Sequence, residues 1–166
     1  MARTATAFPE TRLPVSMDQL RLLAVDAEDL AIVSAHCQDA VIRVEELHFA
    51  PADRKFVMEM NRFVWEKLVP PKKFSLFSRP AYERRRAILH FDRVTAAARL
   101  GFDNLAPDDV LVLLAGRFEE TTAPSGVVEL VFAGGSAIRL QVEVVEAQLT
   151  DVGGAWGTLA RPNHGG

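Results

Sequence analysis

The residues best suited to bind a ligand lie on both sides of a proline-rich segment. They are Arg62, Trp65, Glu66, Arg84 and Arg86. An arginine beside an aromatic ring can stack on the ring and present a forked donor to a carboxylate or phosphate. The group therefore predicts a site for an anionic ligand or a partner protein at the rim of a sheet. A structural network, with Arg85 paired to Glu66, explains the same residues and stays open as an alternative.

A second set of side chains would form a catalytic pocket if the fold brought its members together. The set consists of His36, Asp39, Arg62 and Glu66. Imidazole and carboxylate groups are common general acids and bases. No glycine-rich phosphate loop, CxxC pair or nucleophile elbow accompanies them. The sequence therefore assigns no reaction and predicts no cofactor.

The histidines and the single cysteine fit structural positions better than reactive ones. His36, Asp39 and His48 lack the compact spacing of a zinc site, so no metal site is predicted. Cys37 lies near the C-terminal end of a predicted helix, which is the wrong end to stabilise a thiolate, and is predicted to be a core residue. His90 lies on a predicted strand and is interpreted as a structural histidine.

The elements that must position these residues are mainly strands, and the clearest is a hairpin. Two β-rich runs flank Gly134 and Gly135, a pair that supplies the positive φ angles of a tight turn. From Ile138 to Val144 every second residue is apolar, which is typical of a strand with one buried face. Glu129 and Arg139 should lie roughly opposite each other and form a cross-strand ion pair.

One helix precedes most of the strands. Asp26 is a suitable N-cap, and Leu30 and Val33 follow helical spacing. These features predict a helix over residues 27–38, after a short strand that ends at Ala24. A second, short helix is predicted over residues 146–151.

The remaining runs predict further strands and one long loop. Strands are predicted at residues 41–49, 55–65, 87–98 and 110–118. The apolar alternation changes face at residues 45–46, which predicts a β-bulge, and again before Phe63. Residues 69–83 contain three prolines and are predicted to be a loop.

These elements predict an α+β protein with a mainly antiparallel, curved sheet or roll of about seven strands. The helix over residues 27–38 packs on this sheet, and a pleckstrin-homology-like roll is one arrangement that fits. Residues 1–18 are predicted to be a disordered tail, residues 19–152 a single domain, and residues 153–166 a flexible tail.

The composition limits the classes of function. The chain has 166 residues, of which 49% are hydrophobic and 25% charged, as in an average globular domain. A net charge of −3 argues against nucleic-acid binding, because such proteins normally carry a basic excess. No apolar run is long enough to span a membrane, and no apolar secretion signal begins the chain. The single cysteine fits a reducing cytoplasm.

Four segments resemble a known family in their order and residue types. They are residues 26–41, 125–140, Met-Asn-Arg-Phe-Val-Trp-Glu at 60–66, and Glu-Arg-Arg-Arg-Ala-Ile-Leu-His-Phe-Asp-Arg-Val at 83–94. The chain is similar over residues 19–160 to the DUF2948 family, which is found chiefly in alphaproteobacteria. This resemblance implies a small cytoplasmic bacterial protein without an assigned activity, and it supplies no catalytic residues.

The function expected from these observations is unknown in detail and belongs to one of two classes. The first is a non-enzymatic binding or regulatory module that engages a protein or an anionic ligand through Trp65, Arg84 and Arg86. The second is an enzyme of unrecognised type with the polar pocket named above. The sequence leaves self-association into a homo-oligomer open.

Overall fold

The computed structural model describes residues 19–64 and 84–156, with the side chains of 153–156 excepted. Within this part the chain forms one α-helix and ten strands. In chain order they are β1 (Arg21–Ala24), α1 (Ala27–His36), β2 (Val41–Arg43), β3 (Leu47–Ala50), β4 (Lys55–Phe63), β5 (Arg84–Phe91), β6 (Val94–Leu100), β7 (Val110–Glu120), β8 (Gly126–Phe132), β9 (Ala137–Val142) and β10 (Ala147–Trp156).

All the strands belong to one antiparallel sheet. Its order is β1-β10-β5-β4-β2-β7-β8-β9-β6, and β3 pairs with β4 beside β2. The predicted α+β class and the antiparallel arrangement are therefore confirmed. The predicted number of about seven strands is wrong, because ten are present in the described residues.

The sheet curls until its last strand, β6, comes back toward β3 and β4. The backbone N–H of Val94 donates to the carbonyl of Arg54 at 2.9 Å. Farther along β6, the Arg99 guanidinium donates to the carbonyl of Leu47 at 3.3 Å. Apolar side chains from the concave face fill the interior, among them Phe56, Phe91 and Phe132.

The single helix packs against β1 and β7 over one part of this core. The Asp26 carboxylate accepts from the N–H of Asp29 at 2.8 Å, which confirms the predicted N-cap. Leu30 and Val33 are buried, as their spacing predicted. The helix ends at His36, two residues before the predicted end. The Gly116 N–H donates to the Ser34 hydroxyl at 2.9 Å and ties α1 to β7.

The hairpin of β8 and β9 has the predicted form. Gly134 and Gly135 have φ angles of 93° and 97°, which explains the glycine pair in the turn. Ile138 is buried and so are the next two alternate residues of β9. Glu129 lies directly opposite Arg139, at 3.6 Å between charged atoms, which confirms the predicted cross-strand pair.

The C-terminal segment differs most from expectation. The helix predicted over residues 146–151 is wrong, because β10 begins at Ala147 and pairs on both sides, with β1 and β5. Leu149 lies between Leu22 and Leu89 in this register, so strand pairing buries it. Residues 146–151 mix polar and apolar types, so their local preference for a helix is weak. Pairing with two neighbouring strands therefore decides their structure. The strand continues to Trp156, inside the segment predicted to be a flexible tail.

The predicted strand over residues 87–98 is two strands, β5 and β6. They are separated by Asp92 and Arg93, and Arg93 adopts a left-handed φ of 61°. The Asp92 N–H donates to the carbonyl of Glu146 at 2.9 Å, which holds the corner. No glycine or proline marks this corner, so the chain changes direction without a sequence signal.

Two predicted changes of face have different outcomes. The one at residues 45–46 is a 3₁₀ turn over Val44–Glu46, not a bulge. The one before Phe63 is wrong, because β4 keeps a single alternation in which Arg62 follows Phe56, Met58 and Met60 on the buried face. A charged residue occupies a core position, and this broke the apolar pattern. The predicted loop at 69–83 lies outside the described residues.

Candidate functional site

The three consecutive arginines of β5 point to opposite faces of the sheet. Arg84 and Arg86 face outward and are partly exposed, whereas Arg85 faces the core and is 2% exposed. This alternation follows from the period of a strand and agrees with the sequence pattern. The two faces therefore form two separate charged clusters, an inner and an outer one.

The inner cluster, defined as Arg62, Arg85 and Asp151, is centred on a buried ion pair. Arg62 has no exposed surface. Its Nε and Nη2 donate to the two carboxylate oxygens of Asp151 at 2.8 and 2.9 Å. The Leu20 N–H donates to the same carboxylate at 2.9 Å, and Arg85 Nη1 lies 3.8 Å from it. Such a bidentate, hydrogen-bonded geometry is what a buried charge pair requires.

Strand register brings the inner cluster together across β4, β5 and β10. Arg62 lies opposite Arg85, and Asp151 is placed one row away, opposite Ala87. Inward side chains two residues apart on neighbouring strands are diagonal neighbours, within reach of long side chains. The position of Arg62 corrects its predicted role, because a side chain without solvent access is not placed at the rim of the sheet.

Cys37, at the end of α1, lies close enough to the inner cluster for its charges to affect the pKa of the thiol. Burial raises the pKa of its thiol to about 12, the Arg62 charge lowers it and the Asp151 charge raises it. The thiol is therefore protonated at neutral pH and is not a nucleophile. Its burial confirms the prediction of a core cysteine.

The outer cluster, defined as Glu46, Glu59, Asn61 and Arg86, is centred on Arg86. Nη2 of Arg86 donates to Glu46 at 2.5 Å and to Glu59 at 2.9 Å, and Nη1 donates to Asn61 at 3.2 Å. Partial burial lowers the pKa of Arg86, but its hydrogen bonds to the Glu46 and Glu59 carboxylates and their negative charges outweigh this effect, so the pKa of Arg86 lies above the usual value. Arg86 is a fixed cation.

A polar pocket of about 360 Å³ opens on this outer face. Its lining residues are Val41, Arg43, Glu46, Asn61, Arg86 and Val110. The Glu46 carboxylate also accepts from the backbone N–H of Arg43 at 2.9 Å, so it joins the end of β2 to β5. The Arg43 side chain is 59% exposed and lies 3.7 Å from Glu45. We call this the Arg86 pocket.

Arg84 lies two residues before Arg86 on the same face. Its guanidinium stacks over the ring of Phe63, 4.6 Å from the ring centre. This is an arginine–aromatic contact, but its ring is Phe63, which does not belong to the predicted binding group. Trp65 and Glu66 lie outside the described residues, so the part of the predicted site that they form stays a prediction.

Three residues of the alternative catalytic pocket are described, and each has a separate local role. His36 Nδ1 lies 2.9 Å from the carbonyl oxygen of Ile32, one turn earlier in α1. Asp39 turns the chain with a φ of 65°, and its N–H donates to Leu113 at 2.8 Å. Arg62 is in the inner cluster, and Glu66 lies outside the described residues.

The described residues contain no group of three or more histidine, cysteine, aspartate or glutamate side chains that could hold a metal ion. His48 is exposed on β3. His90 Nδ1 lies 3.5 Å from a carboxylate oxygen of Asp92, next to the corner between β5 and β6.

Sequence reasoning missed Asp151, Glu46 and Glu59. Asp151 was assigned to a helix, so its alternation with Ala147 and Leu149 was not used. Arg62 likewise continues the inward phase of Met58 and Met60. Charged residues in the buried phase of two strands are rare unless paired, and this pattern could have predicted the ion pair.

The fold and these clusters describe an α+β protein with a curved antiparallel sheet. Residues 20–164 match the family described as a protein of unknown function, DUF2948, so the chain belongs to this family. No curated protein and no solved structure is significantly similar to it. The one α-helix of the described residues, ten residues long, is too short to cross a bilayer, which takes about 20.

Proposed function

We propose that this protein is a non-enzymatic binding module that holds an acidic segment of a partner protein at the Arg86 pocket. The observation that carries the proposal is the pairing of two unlike arginines in one polar pocket. Arg86 is fixed by three neighbours, whereas Arg43 is largely exposed. A carboxylate site can be built from these two residues: Arg86 is held in place, and Arg43 can turn toward the ligand.

Arg43 is the residue expected to meet the partner. Its contact with Glu45 joins two exposed side chains at 3.7 Å. Exposed ion pairs of this kind contribute about 0–1 kcal/mol, so Arg43 can exchange Glu45 for a partner carboxylate at little cost. An arginine is suited to this because its fork can bind a carboxylate through two hydrogen bonds.

Arg86 is expected to act as a positioning residue. Nη2 is already hydrogen-bonded to Glu46 and Glu59, and displacing these carboxylates would expose two like charges to each other. Glu46 in turn holds the backbone of Arg43. Arg86 therefore fixes the strand end from which Arg43 projects, and the partner contacts Arg43 first.

A protein partner is favoured over a small anion by the rim of the pocket. Val110 lines it and is 57% exposed, and Leu114 on the same strand is 45% exposed. Aliphatic groups beside a charged group are common where proteins meet, and they contribute nothing to a small inorganic anion. The net charge of −3 also disfavours long-range attraction of free anions.

The experiment places a photo-crosslinking amino acid at Val110 in the full-length protein expressed in its native host. A matched control carries the same amino acid at Leu23, which is 65% exposed on β1. We expect a partner that crosslinks at Val110 and not at Leu23, and we expect the crosslinked peptide to contain aspartate or glutamate. A synthetic copy of that peptide is then titrated against the purified protein.

Arg43→Glu should weaken binding of this peptide at least tenfold, because one charge-assisted hydrogen-bonded pair is lost and a repulsion is added. Arg117→Glu is the matched control, since Arg117 is an exposed arginine on another part of the sheet. Equal crosslinking at the two positions, or equal affinity of Arg43→Glu and the wild type, would refute the proposal.

The competing enzyme hypothesis has less support, because Arg62 is buried and bound to Asp151. A cytoplasmic location, self-association and a pleckstrin-homology-like roll stay predictions. The binding site at the Arg86 pocket requires none of them.

A further inference from the structure

The curled sheet has an open line between two edge strands. β3 pairs only with β4, and β6 pairs only with β9, among the strands of the described residues. The remaining edges of β3 and β6 approach each other where the sheet curls back, since Arg99 of β6 reaches the Leu47 carbonyl of β3. We call this line the β3–β6 seam and define it by Leu47–Ala50 on one side and Thr95–Leu100 on the other.

Only two hydrogen bonds bridge the seam region within the described residues. One joins the Val94 N–H to the Arg54 carbonyl at one end of the seam. The other joins the Arg99 guanidinium to the Leu47 carbonyl at the other end. Between them the two strands form no ladder, and most of β6 is exposed. Backbone groups at such an edge are a template for a further strand.

We infer that the β3–β6 seam receives an extended segment of a partner protein as an added strand. The proposal rests on the unpaired edges and is independent of the Arg86 pocket. Main-chain hydrogen bonds would supply much of the affinity, and the alternate side chains would supply specificity. The added strand would join the two ends of the curled sheet.

The two faces of the seam define the chemistry of the partner segment. Phe49 and Ala97 face inward and are partly buried against the core. His48 and Ala98 face outward and are exposed. Because side chains of an added strand alternate between these faces, the segment should have apolar residues at every second position and polar residues between them.

Arg99 is the side chain that bridges the seam within the described residues. It is exposed, its carbon Cζ lies 5.1 Å from the centre of the Phe102 ring, and it reaches the Leu47 carbonyl. A charged side chain on an edge strand protects that edge from unspecific pairing. Within the seam an entering segment must break the Arg99 bond to Leu47, whereas the Val94 bond to Arg54 lies just beyond the end of the seam.

A second copy of this chain is a less suitable occupant. Pairing of two β6 strands would bring a whole curled sheet against the edge that β3 also borders. A single extended segment brings no further sheet to this edge. We therefore assign the seam to a peptide segment, and self-association through β6 is an outcome that would contradict this assignment.

The experiment selects a displayed library of random twelve-residue peptides on the full-length protein. The best peptide is then compared with an analogue that is N-methylated at alternate residues and keeps all side chains. We expect alternating apolar and polar residues in the selected sequences. We also expect at least a tenfold loss of affinity for the analogue, because it lacks main-chain donors on one edge. Bound peptide should slow amide exchange at residues 48–50 and 95–100.

Two variants separate this inference from the proposed function. Arg99→Ala should bind the peptide about fivefold more tightly, since a hydrogen bond worth about 1 kcal/mol no longer has to be broken. Arg139→Ala, on the neighbouring strand, is its matched control and should leave the affinity unchanged. Arg43→Glu should also leave it unchanged.

Four results would overturn the inference. They are an absence of enriched peptides, equal affinity of the N-methylated analogue, protection confined to β1 or to the Arg86 pocket, and a protein dimer in light scattering whose amides at residues 95–100 are already protected. Each of these would leave the Arg86 pocket and its partner untouched.

Discussion

The inner and outer clusters are built on the same strands, yet they differ in what surrounds their charges. Arg62 and Asp151 have no exposed side-chain surface, whereas the Arg86, Glu46 and Glu59 side chains are 27%, 21% and 41% exposed. Burial strengthens an ion pair and makes the loss of one partner costly, and water weakens both effects. Loss of a charge should therefore cost more stability in the inner cluster than in the outer one.

The largest effect is expected when the carboxylate of the inner cluster is removed. Asp151→Asn keeps the shape of the side chain and leaves Arg62 buried without its counter-charge. We expect a loss of about 3–5 kcal/mol in the free energy of unfolding, measured by urea denaturation. Glu129→Asn, which removes a carboxylate on the outer face, is the control and should cost less than 1 kcal/mol. Similar losses for the two variants would erase the distinction between the clusters.

Replacing both members of the buried pair should cost less than the two single changes together. Arg62→Met combined with Asp151→Leu removes one positive and one negative charge, so neither is left without a partner. We expect the loss to be smaller than the sum of the single losses by about 2–3 kcal/mol in a double-mutant cycle. Additive losses would mean that the two side chains stabilise the fold separately.

A smaller effect is expected in the outer cluster. Arg86→Gln removes the cation between Glu46 and Glu59, and we expect a loss of about 1–2 kcal/mol after allowance for solvent. High salt should reduce the difference from the wild type, because the cluster is partly exposed. Arg139→Gln is the matched control and should cost a few tenths of a kcal/mol. Equal losses for these two variants would show that Arg86 is an ordinary surface arginine.

The pH dependence of stability reports on the burial of Cys37. Burial raises the pKa of the folded-state thiol from 9.0 to about 12, so the folded protein holds this proton to higher pH than the unfolded chain. The contribution is complete below about pH 9 and is lost as the pH rises toward 12, by about 1.4 kcal/mol per pH unit.

The measurement compares unfolding of the wild type and Cys37→Ala at pH 8, 9 and 10. Above pH 9 the wild type should lose its advantage over the variant at about this slope. A constant difference across the three pH values would mean that Cys37 meets water in the folded protein.

Local patterns were sufficient for the elements whose partners are close in sequence. The β8–β9 hairpin follows from Gly134, Gly135 and the alternation after Ile138, because the turn and the pairing strands adjoin each other. The N-cap at Asp26 is equally local. These features needed no knowledge of the remaining fold.

The inner cluster was not predictable in the same way, because it depends on pairing between distant segments. Arg62 and Asp151 are 89 residues apart, and each alone resembles a surface residue. Of the predicted binding group, Arg84 and Arg86 do share the outer face, but Glu46 reaches Arg86 only through the register of β2, β4 and β5. Alternation predicts a face, and register decides which residues meet on it.

The pairing of β1 with β10 has a consequence for synthesis of the chain on the ribosome. Leu20 and Asp151 bind each other although 131 positions separate them. β1 thus leaves the ribosome long before β10 has been translated, and until then one edge of β5 is unpaired. Completion of the sheet depends on the translation of β10, so while a ribosome is stalled before Asp151 the nascent chain contains Arg62 without its counter-charge.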